Sequence, residues 1–113
     1  MKNINIKIIP YKEMRYDTLG DYWISKNSIE IRIASHNKYG EKLERREIQG
    51  FILHELMELF IVMHRKIPIE AIDKFDMEYK GSDPGMNPNA PYHREHMTAM
   101  EVEEMFYSEV ELT

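Results

Sequence analysis

The sequence predicts an α+β fold in which a small three-stranded sheet packs on one long central helix, followed by a short helix and a C-terminal helix. Segments in the first third of the chain alternate apolar and polar residues, as strands do. A later segment, from about Leu43 to Lys66, has helical periodicity. Its second half is apolar on nearly every side, which is typical of a helix that other elements surround.

Three segments are predicted as strands. Asn3 to Ile9 has isoleucine at every second position, which predicts one buried face and a partly buried second face. Asp21 to Ile24 and Ser28 to Ala34 follow, and the short Lys26-Asn27 link predicts a tight turn because Asn tolerates positive φ. In the third strand Ile29, Ile31 and Ile33 share one face, which predicts an antiparallel or edge strand.

The remaining elements are helices. Basic residues lie in the last turn of the long helix, where the helix dipole favours them, and Pro68 ends it. Ile69 to Tyr79 is predicted as a short helix, and the Gly- and Pro-rich residues 80–89 as a loop. The last helix is expected from about Pro91 to Glu111.

Length and composition limit the function classes. A chain of 113 residues has room for one domain, spanning residues 1–113. A net charge of −5 argues against a nucleic-acid or anionic-membrane surface. Cysteine is absent, so thiolate ligands and disulfides are excluded. The first ten residues lack the apolar block of a signal peptide, so we expect a cytoplasmic protein. The oligomeric state stays open.

The central chemical signal is His54-Glu55-Leu-Met-Glu58, within the apolar part of the long helix. Burying ionisable side chains is costly unless they are paired or bind a metal. His54 and Glu58 are four residues apart and share a helix face, as two ligands of one ion would. Glu55 lies about 100° round the helix, where it can act as a general base. The alternative is a buried His-Glu pair satisfied by the sheet, Arg32 or Lys66.

A second cluster, His93-Arg-Glu-His96, opens the last helix. Catalytic zinc sites use three protein ligands and keep one open position. His54 and Glu58 would supply two ligands, and His96 the third, with His93 as the alternate; the other possibility is that both histidines are exposed or cap the helix. Zn²⁺ is expected at one per chain, with Fe²⁺ or Mn²⁺ as alternatives, and Glu55 or Glu103 would allow a two-metal site.

Two further positions have open roles. Gly50 lies one turn before His54 and either permits close approach of another element or is a tolerated helix glycine. Tyr92 and Tyr107 lie on the last helix, and either could donate a hydrogen bond to a substrate oxyanion. The alternative for both tyrosines is a place at the margin of the core.

These residues resemble a minimal zincin metallopeptidase of the gluzincin type. The likeness spans residues 28–107: a strand, an active-site helix with His-Glu-x-x-ligand, and a downstream helix with Tyr92-His-Arg-Glu-His96. It implies a zinc peptidase in which Glu55 deprotonates water. It also implies that a peptide or protein substrate or partner pairs with the strand that carries Ile31 and Ile33.

The chain departs from the family pattern at one ligand. The family has His-Glu-x-x-His, and here Glu58 takes the place of the second histidine. The two-His, one-Glu ligand set would then be kept with two positions exchanged. Two functional hypotheses follow: a zinc-dependent hydrolase, and a catalytically degenerate zincin-like module that binds or regulates a partner.

Overall fold

The protein folds as a three-stranded mixed sheet and three α-helices, and the predicted α+β class is confirmed. A computed structural model describes residues 3–81 and 83–111. The elements in chain order are β1 (Asn3–Ile9), β2 (Gly20–Ile24), β3 (Ser28–Ala34), α1 (Arg45–His64), α2 (Ile69–Glu78) and α3 (His93–Glu111). Short 3-10 turns occupy Tyr11–Glu13 and Pro84–Met86. None of the helices described in these ranges combines the length and apolarity that a membrane crossing requires.

The sheet order is β1-β3-β2, with β3 in the centre. β3 runs parallel to β1 and antiparallel to β2. The predicted antiparallel pairing is confirmed on the β2 side, and the alternative that β3 is an edge strand is wrong. The hairpin from β2 to β3 occupies one side of β3, and β1 occupies the other, so the backbone of β3 is paired on both sides.

The core lies between β3 and α1. Ile31 and Ile33 are fully buried, as are Leu59 and Val62 of α1. The expectation that Ile31 and Ile33 contact a substrate is therefore wrong, because both side chains point into the core and their strand has no free edge. Their role is to position α1 on the sheet.

Strand β1 is far more exposed than its sequence predicts. Ile4, Ile6 and Ile8 are 38%, 41% and 51% exposed. These residues lie on the same face as the buried isoleucines of β3, since Ile4 pairs with Ile29 in parallel register. α1, however, packs mainly against β3 and β2. The sheet thus extends past its helical cover, and the predicted buried face of β1 is wrong.

The opposite face of the sheet is covered by ion pairs and hydrogen bonds instead of a helix. Glu30 accepts hydrogen bonds from Asn5 and Arg32. Arg15 pairs with the buried Asp21 at 2.7 Å and reaches Asp73 of α2 at 3.0 Å. These contacts fasten the segment before β2 to α2, beside one end of α1.

Helices α1 and α3 approach closely at Gly50. A Cβ built on Gly50 would lie 2.3 Å from the hydroxyl oxygen of Tyr107. Of the two readings of Gly50, close approach is the one that the structure supports. The close contact brings the inner faces of α1 and α3 together over the next turns of α1, where His54 and Glu58 lie.

Candidate metal centre

Three buried side chains from two helices converge on one point. His54 and Glu58 come from α1 and His96 from the first turn of α3. His54 Nε2 lies 3.1 Å from Glu58 Oε2 and 3.2 Å from His96 Nδ1, and the third side of this triangle, His96 Nδ1 to Glu58 Oε2, is 2.9 Å. Among the residues that the structure describes, they are the one group of His, Asp or Glu found suitable to hold a metal ion.

His93 takes no part in this group. Its Nδ1 lies 2.9 Å from the carbonyl oxygen of Gly85, in the turn before α3. Because His93 and His96 are three residues apart on one helix, only a small rotation separates them, and the structure turns His96 inward. Of the two histidines, the structure places His96 in the group and His93 outside it.

While Glu58 is ionised, no arrangement of protons places a donor and an acceptor on all three sides of the triangle. If His54 Nε2 and His96 Nδ1 both carry a proton, two N–H donors face each other across 3.2 Å. If only one is protonated, the lone pair of the other nitrogen faces a lone pair of the Glu58 carboxylate. A single cation between the three atoms satisfies all of them at once. The alternative is a hydrogen-bonded network in which His54 and His96 both donate to Glu58 Oε2.

The size of the triangle also fits a metal. Zinc lies about 2.0–2.1 Å from His nitrogen and carboxylate oxygen, so tetrahedral ligand atoms are about 3.3 Å apart. The three observed separations lie between 2.9 and 3.2 Å. A small outward adjustment of the side chains would bring all three atoms to bonding distance of one ion.

Each candidate ligand has a polar outer neighbour, which makes a hydrogen bond to His54 and to Glu58 and lies beside His96 without one. Glu103 Oε1 lies 3.0 Å from His54 Nδ1, and Asp83 Oδ1 lies 3.0 Å from His96 Nε2. Tyr22 on β2 donates a hydrogen bond of 2.8 Å to Glu58 Oε1. Metal-binding histidines usually have such carboxylate partners, which select the tautomer whose other nitrogen is free to bind the ion. Glu103 thus lies on the outer side of His54 and does not converge with Glu55 as a second metal site would require.

The loop before α3 packs against the ring of His96. A Cβ on Gly85 would lie 2.4 Å from His96 Cγ, so only glycine lets the loop pass this close to the ring. Asp83 has a left-handed backbone conformation with φ 51, which is costly for a residue other than glycine. This strained residue directs its carboxylate at His96. The sequence pattern marked Asp83 and Gly85 merely as loop residues, and it gave Tyr22 no role.

The electrostatics of the centre favour positive charge. Burial lowers the pKa of His54, but hydrogen bonds to Glu103 and Glu58 outweigh burial and raise it to about 10. Burial likewise lowers the pKa of His96, and Asp83 and Glu58 raise it to about 9. Burial also raises the pKa of Glu58, yet hydrogen bonds from the two histidines hold it below its ordinary value. A metal ion would compete with these protons for the same nitrogen atoms.

Glu55 lies beside the triangle without joining it. Its Oε2 is 3.8 Å from His54 Nε2. Burial and the nearby charge of Glu58 raise the pKa of Glu55 well above its ordinary value. A Cβ on Gly20 would lie 3.0 Å from the carboxyl carbon of Glu55, so Gly20 leaves room for this carboxylate against β2. A carboxyl beside the triangle is a candidate general base when it is ionised.

A cleft of about 470 Å³ opens over the centre. Its lining includes His54, Glu55, Glu58 and His96, with β2 on one side and α2 on another. Tyr107 is not part of this lining. The ring of Tyr107 packs on Gly50 between the two helices, and its expected role in substrate binding stays a prediction. Tyr92 is buried and lines the cleft, and it donates a hydrogen bond of 2.5 Å to the half-buried Asp76.

The edge of β2 beside the cleft is already engaged. The hydroxyl of Thr18 donates to Gly20 O at 2.8 Å and accepts from Gly20 N at 3.3 Å. Arg15 also reaches the carbonyl oxygen of Tyr22, at 3.5 Å. β2 is thus the edge strand nearest to the centre, but the chain itself occupies several of the backbone groups that an extended peptide would need.

Comparison with known proteins adds no relative. No family model matches the chain, and neither the curated proteins nor the solved structures contain a significant match. The zincin resemblance stays a prediction from the sequence motif, and functional inference depends on the geometry of the site.

Proposed function

We propose that this chain is a zinc-dependent hydrolase in which His54, Glu58 and His96 hold the ion and Glu55 is the general base. The observation that carries the proposal is the convergence of three buried ligand atoms within 3.2 Å of one another. Glu55, 3.8 Å from His54 Nε2, adds a base at the right place for hydrolysis. An amide bond of a peptide is the proposed substrate, in line with the zincin resemblance.

The donor set fits zinc as well as Fe²⁺ or Mn²⁺, since two imidazoles and one carboxylate suit all three ions. Zinc is preferred here because the adjacent base supports hydrolysis and not redox chemistry. When bound, zinc would lower the pKa of a water molecule and polarise a carbonyl group. The protein's part is to fix three ligands, leave a position open toward the cleft and place a base beside it.

Glu55 would perform two proton transfers. Its carboxylate takes a proton from water at Oε2 as the water oxygen bonds to the carbonyl carbon. The same proton then passes to the departing nitrogen as the C–N bond breaks, so Glu55 returns to its carboxylate form. Burial raises the pKa of Glu55 in the metal-free chain, and the positive charge of a bound ion would oppose that shift and favour the carboxylate form that accepts the proton.

A second candidate is a metal-binding module without hydrolytic activity. The engagement of the β2 edge by Thr18 and Arg15 supports it, because peptidases that bind extended substrates need free backbone groups there. In this candidate the centre stabilises the fold or a partner interface. The two candidates share the metal and differ in the role of Glu55.

Metal content and peptide hydrolysis, measured together, test the proposal. The wild type, purified without chelator, is expected to hold about one zinc per chain and to cleave members of a mixed peptide library. Glu55→Gln should keep the zinc and lose activity by a factor of about 10²–10⁴, the usual contribution of a general base. His54→Ala should lose both.

Three other outcomes would change the conclusion. Glu55→Gln with wild-type activity would remove the proposed mechanism. Zinc at one per chain with no hydrolysis of any peptide would favour the non-catalytic module. A wild type that holds no metal after zinc is added would contradict both candidates and leave the three side chains as a hydrogen-bonded network.

A further inference from the structure

We propose that two copies of this chain dimerise through antiparallel pairing of their β1 strands, joining the two sheets into one of six strands. This interface is separate from the metal centre, and it does not depend on the proposed function. It rests on three observations: the open edge of β1, the exposed isoleucine row on that strand, and the self-complementary order of its residues.

The open edge follows from the pairing of β1 with β3. Asn3 N donates to Asn27 O, and Ser35 N donates to Ile9 O. In a parallel pair, alternate residues of a strand bond to the neighbour, so the odd-numbered residues of β1 face β3. The N–H and C=O groups of Ile4, Ile6 and Ile8 therefore point away from the sheet, where a further strand can pair with them.

The same three residues carry the exposed apolar side chains. They are 38–51% exposed on a seven-residue edge strand that contains no proline and a single charge, Lys7. Proteins ordinarily protect such an edge with charges, bulges or a cover, because it readily accepts another strand. Within residues 3–81 and 83–111 no element packs on the outer side of β1.

An exposed apolar stripe on α1 continues this surface. Each residue of a helix turns the chain by about 100°. Going round the circumference of α1, Gly50 faces α3, and His54 and Glu58 follow it. Glu55 then faces β2, and Leu59 faces the core. The next sector lies on the β1 side, because the sheet order continues from β2 through β3 to β1. That sector includes half-buried Ile52 and Leu56 and exposed Leu53, Phe60 and Met63.

The order of residues in β1 identifies a second copy as the occupant. When two β1 strands pair antiparallel about Ile6, Ile6 lies opposite itself and Ile4 lies opposite Ile8 of the partner. All of these residues have outward backbone groups, so each opposed pair can exchange two hydrogen bonds. On the other face Lys7 lies opposite Asn5. A register two residues further along would set Lys7 against Lys7, which like-charge repulsion disfavours.

This register pairs all seven residues of β1 and is symmetric about a twofold axis, as expected for an isologous dimer. The six isoleucines then form one row on the helical side of the joined sheet. The stripes of the two α1 helices flank that row. The two metal centres open on the far side of each α1 from the interface.

Light scattering with size-exclusion chromatography tests the dimer. The wild type should have twice the chain mass of 13.6 kDa. Ile6→Lys places two ammonium groups on the twofold axis and should give the mass of one chain, with unchanged circular dichroism because Ile6 is exposed in the single chain. Lys7→Ser, on the other face of the same strand, is the matched control and should keep the dimer mass.

Cross-linking tests the register, and the absence of native cysteine makes it clean. A short bismaleimide reagent should link the dimer of Ile6→Cys rapidly, because its two thiols lie on opposed residues. Ile4→Cys should link at least tenfold more slowly, since its thiols are separated along the strand by about four residues, roughly 13 Å. A wild type of single-chain mass, an Ile6→Lys variant of wild-type mass, or equal linking rates would overturn the proposal.

Discussion

The two sides of α1 depart from the ordinary rule of burial in opposite directions. On the side of α3 and β2, the helix buries His54, Glu55 and Glu58. On the side of β1, it exposes Leu53, Phe60 and Met63, each by more than a third. A charged group in the interior and an apolar group in water both raise the free energy of the folded chain. Under the two proposals, each side would be stabilised by something outside the single chain: by a cation on one side, and by the apolar surface of a second copy on the other.

This comparison separates two kinds of unusual burial. The buried charges are already oriented by Tyr22, Asp83 and Glu103, so that side is preorganised for a ligand of fixed geometry. No such directional contacts are described on the exposed apolar side. The regular feature there is the alternation of isoleucines along β1. A metal ion needs precise positions, whereas strand pairing needs register and a free edge.

Zinc should have the largest effect on stability. At a free zinc concentration about a thousandfold above the dissociation constant, binding to the folded state stabilises it by about 4 kcal/mol. For a domain of this size the Tm should rise on the order of 10–20 °C. Calorimetry of the chelator-treated protein with and without zinc measures the shift.

His96→Ala is the control for that measurement, since it removes one ligand and should abolish the shift. An equal rise in Tm in His96→Ala would mean that zinc binds elsewhere. If the Tm of the wild type does not respond to zinc, the buried charged side of α1 is not stabilised by a zinc ion.

Tyr22→Phe should have the next largest effect. The change removes the donor to Glu58 Oε1, and a hydrogen bond to a charged group contributes about 1.5–3 kcal/mol. Because Tyr22 is an outer partner of a ligand, zinc affinity should also fall about tenfold. Isothermal titration with zinc and urea unfolding measure the two effects.

Tyr16→Phe is a matched control, because Tyr16 donates to Asp76 at 2.9 Å and touches no candidate ligand. It should reduce stability and leave zinc affinity unchanged. If both variants weaken zinc binding equally, the effect comes from general loosening of the cleft and not from orientation of Glu58.

Asp76→Asn tests the carboxyl of Asp76, which accepts hydrogen bonds from Tyr16 and Tyr92. Burial raises the pKa of Asp76 to about 6, despite hydrogen bonds from Tyr92 and Tyr16 that lower it. The folded state therefore binds this proton more tightly than the unfolded chain, and the contribution of Asp76 to stability improves as the pH falls from about 7 toward 4. Asp76→Asn should be more stable than wild type by about 1 kcal/mol at pH 7.5 in chelator.

The difference between the two proteins should shrink toward zero as the pH falls to about 3, where Asp76 is protonated in the folded state and mostly protonated in the unfolded chain. Urea unfolding at the two pH values gives the comparison. A constant difference across this range would show that hydrogen bonding and not ionisation determines the effect.

Phe60→Ser should have the smallest effect, on the apolar side. Phe60 is 39% exposed, so in the monomeric Ile6→Lys background its replacement should change the free energy of unfolding by less than about 0.5 kcal/mol. Val62→Ser, two residues on and fully buried, should cost several times more. Equal losses measured by urea unfolding would mean that the stripe of α1 is packed within the single chain.

Local patterns in the sequence predicted the elements well. β1 and β3 have the predicted bounds, and α1 begins two residues later and ends two residues earlier than predicted. Periodicity sets these bounds because each element must bury an apolar face. The i, i+4 relation of His54 and Glu58 was predictable for the same reason, since it depends only on helical geometry.

The sequence did not predict which elements lie next to one another in the fold. The position of β3 between β1 and β2 depends on how a crossover connection returns, which no local pattern records. The exposure of Ile4, Ile6 and Ile8 depends on where α1 lies over the sheet, so alternation alone misread β1. Tyr22 reaches the centre from a strand and Asp83 from a loop, both through long-range packing. In the sequence, Tyr22 looks like an ordinary core residue and Asp83 like an ordinary turn residue.

The candidate ligands also form a cross-link along the chain. His54 and His96 are 42 residues apart, so an ion held by both closes a loop that contains α2 and the glycine-rich segment before α3. In a chain without disulfides, such an ion would tie α3 to α1 in the folded state, although unlike a disulfide it would be released on unfolding. Detachment of α3 would then require release of the ion, and protease cleavage within residues 79–89 would report how often the centre opens.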